Sequence, residues 1–178
     1  GIIILSPKAI ERLETYIPDW PIPKIFQLVK SGKVDEKLFL GNTINTPSML
    51  CVEDVLDSLK WVKKIGGLDK TIELSKKNLQ MVDKWVNKIP WLNFLCKKEI
   101  YRSCTSICLI IDDEWFNNQK EEDKKDILKN IVFLLEKEDV AYDIASYRDA
   151  PVGIRIWGGA TVDSSDISLL MSWLQWSF

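Results

Sequence analysis

The chain has 178 residues, 46% of them apolar and 28% charged, and carries a net charge of −2. That length and balance fit one full globular domain, or one and a half small ones. The near-neutral charge points away from nucleic acid and anionic membrane surfaces as partners, and the longest apolar runs are far too short to span a bilayer.

In chain order, "GIIIL" opens the sequence as a β-branched run and predicts a buried strand. A strand starting at Ile2 predicts sheet neighbours encoded upstream, so the sequence is expected to be a fragment. It shows no basic region followed by an apolar core of the kind that directs secretion. Ser6 and Pro7 read as an N-cap followed by a proline at the first helical position, opening a short helix to about Thr15. "YIPDWPIPK" carries Pro18, Pro21 and Pro23 and predicts an extended excursion. "SGKVDEKLFLGNTIN" reads as loop with a brief apolar stretch.

Helix returns at Pro47. Val52, Val55, Leu56, Leu59 and Val62 follow three-and-four spacing, and Gly66-Gly67 ends the run. A second helix is predicted from about Asp69 to Lys88, with Ile72, Leu79, Val82, Val86 and Ile89 on one side and Pro90 closing it. Two adjoining helices of this kind suit a bridge between domains. From about residue 92 the pattern changes. "SICLIID" predicts a strand, "EEDKKDILKNIVFLLEKE" an amphipathic helix, "VAYDI" a strand and "GIRIWGG" a strand with alternating faces. "SSDISLLMSWLQW" predicts a last helix with Ile167, Leu170, Met171 and Leu174 inward. Residues 92–178 therefore predict a compact two-layer α/β unit around a small sheet, and residues 1–91 a separate region.

The chain has four cysteines and no histidine. Cys104 and Cys108 lie in a strand-like run, and four residues of strand span about 13 Å, too far for a shared metal ion or a mutual disulfide. No metal site is expected, and buried free thiols in a reducing cytosol are.

Two stretches could carry chemistry. In "GNTINTPSML", Asn45 and Thr46 precede Pro47, which predicts Thr46 as the N-cap. Free N–H groups of a first helical turn favour anions, and the Asn and Thr side chains add hydrogen-bonding groups. Simple helix capping is the alternative. In "SYRDAPVGIRIWGG", the alternation of a strand puts Arg155 and Trp157 on the face opposite Ile154 and Ile156. Arg148 lies in the preceding loop, and Pro151 to Gly153 let the chain turn back. Only four of the cationic residues are arginines, and two of them are here. A planar guanidinium grips carboxylate or phosphate in a fixed orientation, so both could face one small dianion. The alternative is two surface arginines paired with Asp149 and Asp163. A Gly-rich phosphate loop, a Ser/His/Asp set and a His/Cys metal cluster are all missing from the sequence. Taken alone, these residues name no reaction.

Four stretches, "ILSPKAIERLETYIPDWPIPKIF", "TINTPSMLCVEDVLDSLKW", "LLEKEDVAYDIASYRDAP" and "GIRIWGGATVDSSD", closely resemble the C-terminal portion of the phosphoserine aminotransferases, in the form associated with alphaproteobacteria. These are class V enzymes dependent on pyridoxal 5'-phosphate (PLP). The resemblance implies an α/β fold, the C-terminal part of the aspartate-aminotransferase-like fold. Residues 1–91 would be the end of the large PLP domain with connecting helices, and 92–178 the small C-terminal domain. It implies a cytoplasmic homodimer with a shared active site, acting on small amino-acid substrates without nucleic acid or membrane. Asn45 and Thr46 would reach the phosphate of the neighbour's PLP. Arg155 would hold the substrate α-carboxylate, and Arg148 would help to hold the phosphate of phosphoserine. Many relatives have His-Arg where this chain has Tyr147-Arg148, and its loop to Arg155 is one residue longer. The Schiff-base lysine would lie upstream of Gly1, so none of the chain's lysines is assigned a catalytic role and the stretch alone is expected to be inactive. Glutamate and 3-phosphohydroxypyruvate are the implied substrates, in serine biosynthesis and possibly in pyridoxine biosynthesis. Another class V enzyme, such as a serine–glyoxylate transaminase, and a non-catalytic α/β ligand-binding remnant are the alternatives.

Overall fold

A computed structural model of the chain describes residues 3–43 and 45–178. The chain forms two compact units, Gly1–Ser58 and Leu59–Phe178. In the second unit, the helix preceding residue 92 gives Val82 and Val86 to the same core as the sheet that follows.

In the first unit, α1 (Pro7–Thr15) begins as its sequence dictates, with Pro7 in the first turn and the Ser6 hydroxyl accepting from the Ala9 N–H at 3.2 Å. A hairpin follows, β1 (Val29–Lys30) and β2 (Lys33–Val34), antiparallel with Val29 opposite Val34. Its turn residues, Ser31 and Gly32, both have positive φ (53° and 77°), the geometry that matches the twist of a two-residue hairpin. Glu14 ties α1 to this hairpin. One carboxylate oxygen lies 2.9 Å from Lys33 Nζ and the other accepts from the Val34 N–H at 3.1 Å. The hydrogen bond from Lys33, then that from the Val34 backbone, hold the Glu14 carboxyl below its ordinary pKa.

Of the opening "GIIIL", Gly1 and Ile2 lie outside the described residues. Ile3 to Leu5 form no strand, and Ile3 and Ile4 are exposed. A strand needs a neighbour for its backbone groups, and no described strand pairs with this segment.

The next helix, α2 (Met49–Ile65), starts later than Pro47. The Ser48 hydroxyl accepts from the Cys51 N–H at 3.4 Å, and the Ser48 carbonyl from the Val52 N–H at 3.1 Å. Ser48 therefore caps this helix and Thr46 does not. The proline sits before the cap, where it keeps Thr46 out of the helical region. The predicted apolar stripe exists, but none of its residues is buried; Val55, Leu56 and Leu59 are all exposed.

The second unit is the α/β layer pair. After Gly66 and Gly67, both with positive φ, α3 (Gly67–Val86) leads to an antiparallel sheet of β3 (Leu92–Phe94), β4 (Ser106–Ile111) and β5 (Gly153–Trp157) in that order. The helices α4 (Glu114–Asn117) and α5 (Glu121–Lys137) lie between β4 and β5 in sequence, and α6 (Ser164–Ser177) ends the chain. Leu92, Phe94, Ile107, Leu109, Ile111, Ile154 and Ile156 form the sheet's buried side. They pack with Val82 and Val86 of α3, Leu128, Ile131 and Leu135 of α5, and Ile167, Met171 and Leu174 of α6. Leu170, also predicted inward, is partly buried against this core.

"VAYDI" is not a regular strand. Asp139 and Asp143 have φ of 55° and 52°, which break the pleat, and Ala145 makes only an isolated bridge to Ile154. The cysteine thiols are free, but none is fully buried: Cys51 is exposed and Cys96, Cys104 and Cys108 are half-buried. Cys108 lies on the non-core face of β4, which is why burial was the wrong expectation for it. Among the described residues, no helix is long and apolar enough to cross a membrane.

Candidate functional site

β5 carries Arg155, and its backbone is held from both sides. On one side the ladder to β4 sets Cys108 opposite Arg155 and Leu109 opposite Ile154. At the start of this ladder the strands approach so closely that a Cβ on Gly153 would overlap the carbonyl oxygen of Leu109. Only glycine fits there. On the other side, the Arg155 N–H donates to the Ile144 carbonyl at 2.7 Å, and the Ser146 N–H to the Gly153 carbonyl at 3.0 Å. The alternation predicted for β5 holds. Ile154 and Ile156 are buried, while Arg155 and Trp157 lie on the other face.

The Arg155 side chain is only 15% exposed. Its guanidinium carbon lies 4.4 Å over the Tyr147 ring, so its aromatic partner is Tyr147 and not the adjacent Trp157. Nη2 donates to the Asp143 carboxylate at 3.0 Å and is 3.3 Å from the Asp143 carbonyl oxygen. Nε is buried and has no hydrogen-bond partner among the described residues. A buried, unpaired donor on a cation is costly. A recess of about 40 Å³ is lined by Cys108, Tyr147, Pro151 and Arg155 among others.

Arg148 sits in the exposed turn closed by the Ala150 N–H and the Tyr147 carbonyl. Among the described residues it makes no ion pair or side-chain hydrogen bond, and neither Asp149 nor Asp163 pairs with either arginine. Trp157 Nε1 donates to the Thr161 hydroxyl at 3.2 Å.

The loop after β5 is fixed from below by Asn78 of α3, which is 1% exposed. Its amide nitrogen donates to the carbonyls of Val162 at 2.9 Å, Gly158 at 3.1 Å and Gly159 at 3.4 Å. Its oxygen accepts from the Ser164 hydroxyl at 2.8 Å. Asn78 thus anchors the C-terminal end of the strand that carries Arg155.

In the first unit, Asn45 and Thr46 lie just before α2 with both residues exposed. No described hydrogen bond engages either side chain, and with Ser48 capping the helix both remain available to a ligand.

Sequence reasoning did not find Asp143, Tyr147, Asn78 or Ser48. Asp143 and Tyr147 meet Arg155 only because residues 144–146 run back along β5, and no local spacing announces that pairing. The signal for Ser48 was its residue type, a serine directly before the apolar run from Met49, but the proline drew the cap to Thr46. Asn78 sits on an otherwise amphipathic helix and looks like any surface amide.

Comparison with known proteins gives a consistent answer. No family model matches the chain. A phosphoserine aminotransferase of Methanosarcina barkeri (strain Fusaro / DSM 804) is 48% identical over all 178 residues, which make up 45% of that protein. The one from Methanosarcina mazei is 47% identical over the same span and share. The chain therefore spans just under half the length of these relatives. Among solved structures, the phosphoserine aminotransferase of Bacillus circulans subsp. alkalophilus superposes with a TM-score of 0.65 over 80% of this chain and 36% of that one, at 17% identity. A phosphoserine aminotransferase studied for radiation damage of its Schiff base gives a TM-score of 0.66 over 86% of this chain and 40% of that one, at 11% identity. Those two likenesses establish the fold, and the Methanosarcina matches the sequence relationship. The chain therefore resembles phosphoserine aminotransferases in sequence from end to end and in fold over 80–86% of its length, a stretch that is less than half of such an enzyme.

Proposed function

We propose that the complete protein is a phosphoserine aminotransferase, moving an amino group from glutamate to 3-phosphohydroxypyruvate in serine biosynthesis. The observation that carries this reading is the 48% identity along every residue of the chain. On this reading residues 1–91 end the large PLP domain with its connecting helices, residues 92–178 are the small domain, and the enzyme is a cytoplasmic homodimer with a shared active site. The exposed apolar stripe of α2 supports further protein covering that helix. Action on 4-phosphohydroxythreonine in pyridoxine biosynthesis would call on the same two arginines.

The residues fit PLP at its phosphate end. Asn45 offers an amide and Thr46 a hydroxyl, both exposed and both free of the capping task. When bound, PLP supplies the electron sink for chemistry at the substrate α-carbon. The residues of this chain do the holding. Arg155, ordered by Tyr147 and Asp143, takes the α-carboxylate common to all substrates. Arg148, in the exposed turn, takes the phosphate at the far end. A cation at each end selects a substrate with an anion at each end, and orients its α-carbon between them.

The two arginines should fail differently in the complete enzyme. Arg155→Ala should slow the half-reactions of phosphoserine, glutamate and alanine alike, by roughly 3 kcal/mol or about a hundredfold in kcat/KM. Arg148→Ala should slow phosphoserine far more than alanine. Single-turnover rates decide it. Equal slowing of all three by Arg148→Ala, or any substrate untouched by Arg155→Ala, overturns the assignment.

A further inference from the structure

The ion pair at Arg155 is lopsided. The arginine side chain is 15% exposed, whereas that of its partner Asp143 is 90% exposed. A guanidinium so poorly hydrated needs an anion beside it at all times. A carboxylate so well hydrated loses little by leaving, because water replaces its partner. The contact is also incomplete. Asp143 engages Nη2, while Nε stays buried and unpaired. Asp143 is held in place by its backbone, in the left-handed region with φ of 52° next to Ile144, whose carbonyl bonds the Arg155 N–H.

We infer that Asp143 is the resident anion of Arg155, an affinity-determining residue that occupies the guanidinium until a ligand carboxylate replaces it. The inference rests on the reading of Arg155 as a carboxylate site. Exchange of one carboxylate for another keeps the half-buried cation neutralised throughout. It also sets a threshold. A ligand must offer a better contact than Asp143 does, which a carboxylate bonding through both oxygens achieves and a monatomic anion such as chloride does not. Asp143 thus discriminates in favour of carboxylates, at the expense of absolute affinity.

The test uses succinate, an unreactive dicarboxylate, titrated calorimetrically into the complete PLP-loaded enzyme. Asp143→Asn removes the charge and keeps the shape, and asparagine adopts the left-handed backbone as readily as aspartate. Asp143→Gly is the second variant, since glycine also accepts that φ. Both should lower the Kd of succinate by about three- to tenfold and make it more sensitive to chloride. In an Arg155→Ala background the same substitutions should change nothing. A Kd that is unchanged or raised by both Asp143 variants, while Arg155→Ala alone weakens binding, overturns this inference and leaves the site reading standing. If Arg155→Ala leaves succinate binding intact, the site reading fails and the inference falls with it.

Discussion

At the residue scale, Ser48 caps α2, and on the proposed function this leaves Thr46 to the PLP phosphate. Ser48→Ala should destabilise α2 by about 1 kcal/mol, the usual cost of a lost cap, while Thr46→Ala should leave stability unchanged. In the complete enzyme the ranking should invert for the cofactor. Thr46→Ala should lose PLP on dialysis and Ser48→Ala should retain it. Equal retention by both would remove Thr46 from the phosphate site. Asn78 makes the other sharp case. Asn78→Ala strips partners from buried carbonyls and from the Ser164 hydroxyl at once, so it should cost roughly 2–3 kcal/mol in denaturant unfolding. A loss below about 0.5 kcal/mol, the size seen for surface substitutions, would mean the network is idle.

At the scale of elements, Glu14 joins α1 to the β1–β2 hairpin, and this link has a definite pH dependence. Its folded pKa lies below its unfolded value, so its contribution is fully present above the unfolded carboxylate pKa of about 4.3. It is lost as pH falls through the folded value. Hydrogen exchange at the Val34 N–H, followed downward from pH 6, should show protection fading in that acidic window, and Glu14→Gln should abolish the pH dependence. Legibility in the sequence also divides by element. Where one face of an element is apolar and local, as in α6 and β5, periodicity predicted the element and its buried side, and for α5 it predicted the amphipathic helix. Where a segment's state depends on a distant neighbour, it did not. "VAYDI" has the composition of a strand, yet two aspartates in the left-handed region turn it into a kinked flank of β5. For the same reason Arg155 was legible as a strand residue facing away from the core, whereas its contacts with Asp143 and Tyr147 were not. The stripe on α2 was predicted correctly as a pattern, but a pattern does not say what covers it.

For the whole molecule, that stripe separates stability from assembly. Leu59 is exposed, so Leu59→Glu should change the unfolding free energy of this chain by less than about 0.5 kcal/mol. If the complete protein is the proposed homodimer with α2 in its interface, Leu59→Glu should break that dimer, read by sedimentation; an intact dimer would mean that α2 lies outside the interface. The setting of Arg155 has a different consequence, for the speed of recognition. Ordering a long cationic side chain costs about 2 kcal/mol of rotamer entropy. Stacked on Tyr147 and bonded to Asp143, the guanidinium has already lost that freedom in the free protein. The cost falls on the folding equilibrium, where a cooperative core shares it, and not on each encounter with a ligand. On the proposed function, a carboxylate arriving by diffusion meets an arginine whose conformational search is already over, and what remains is to displace Asp143 and to orient the small molecule.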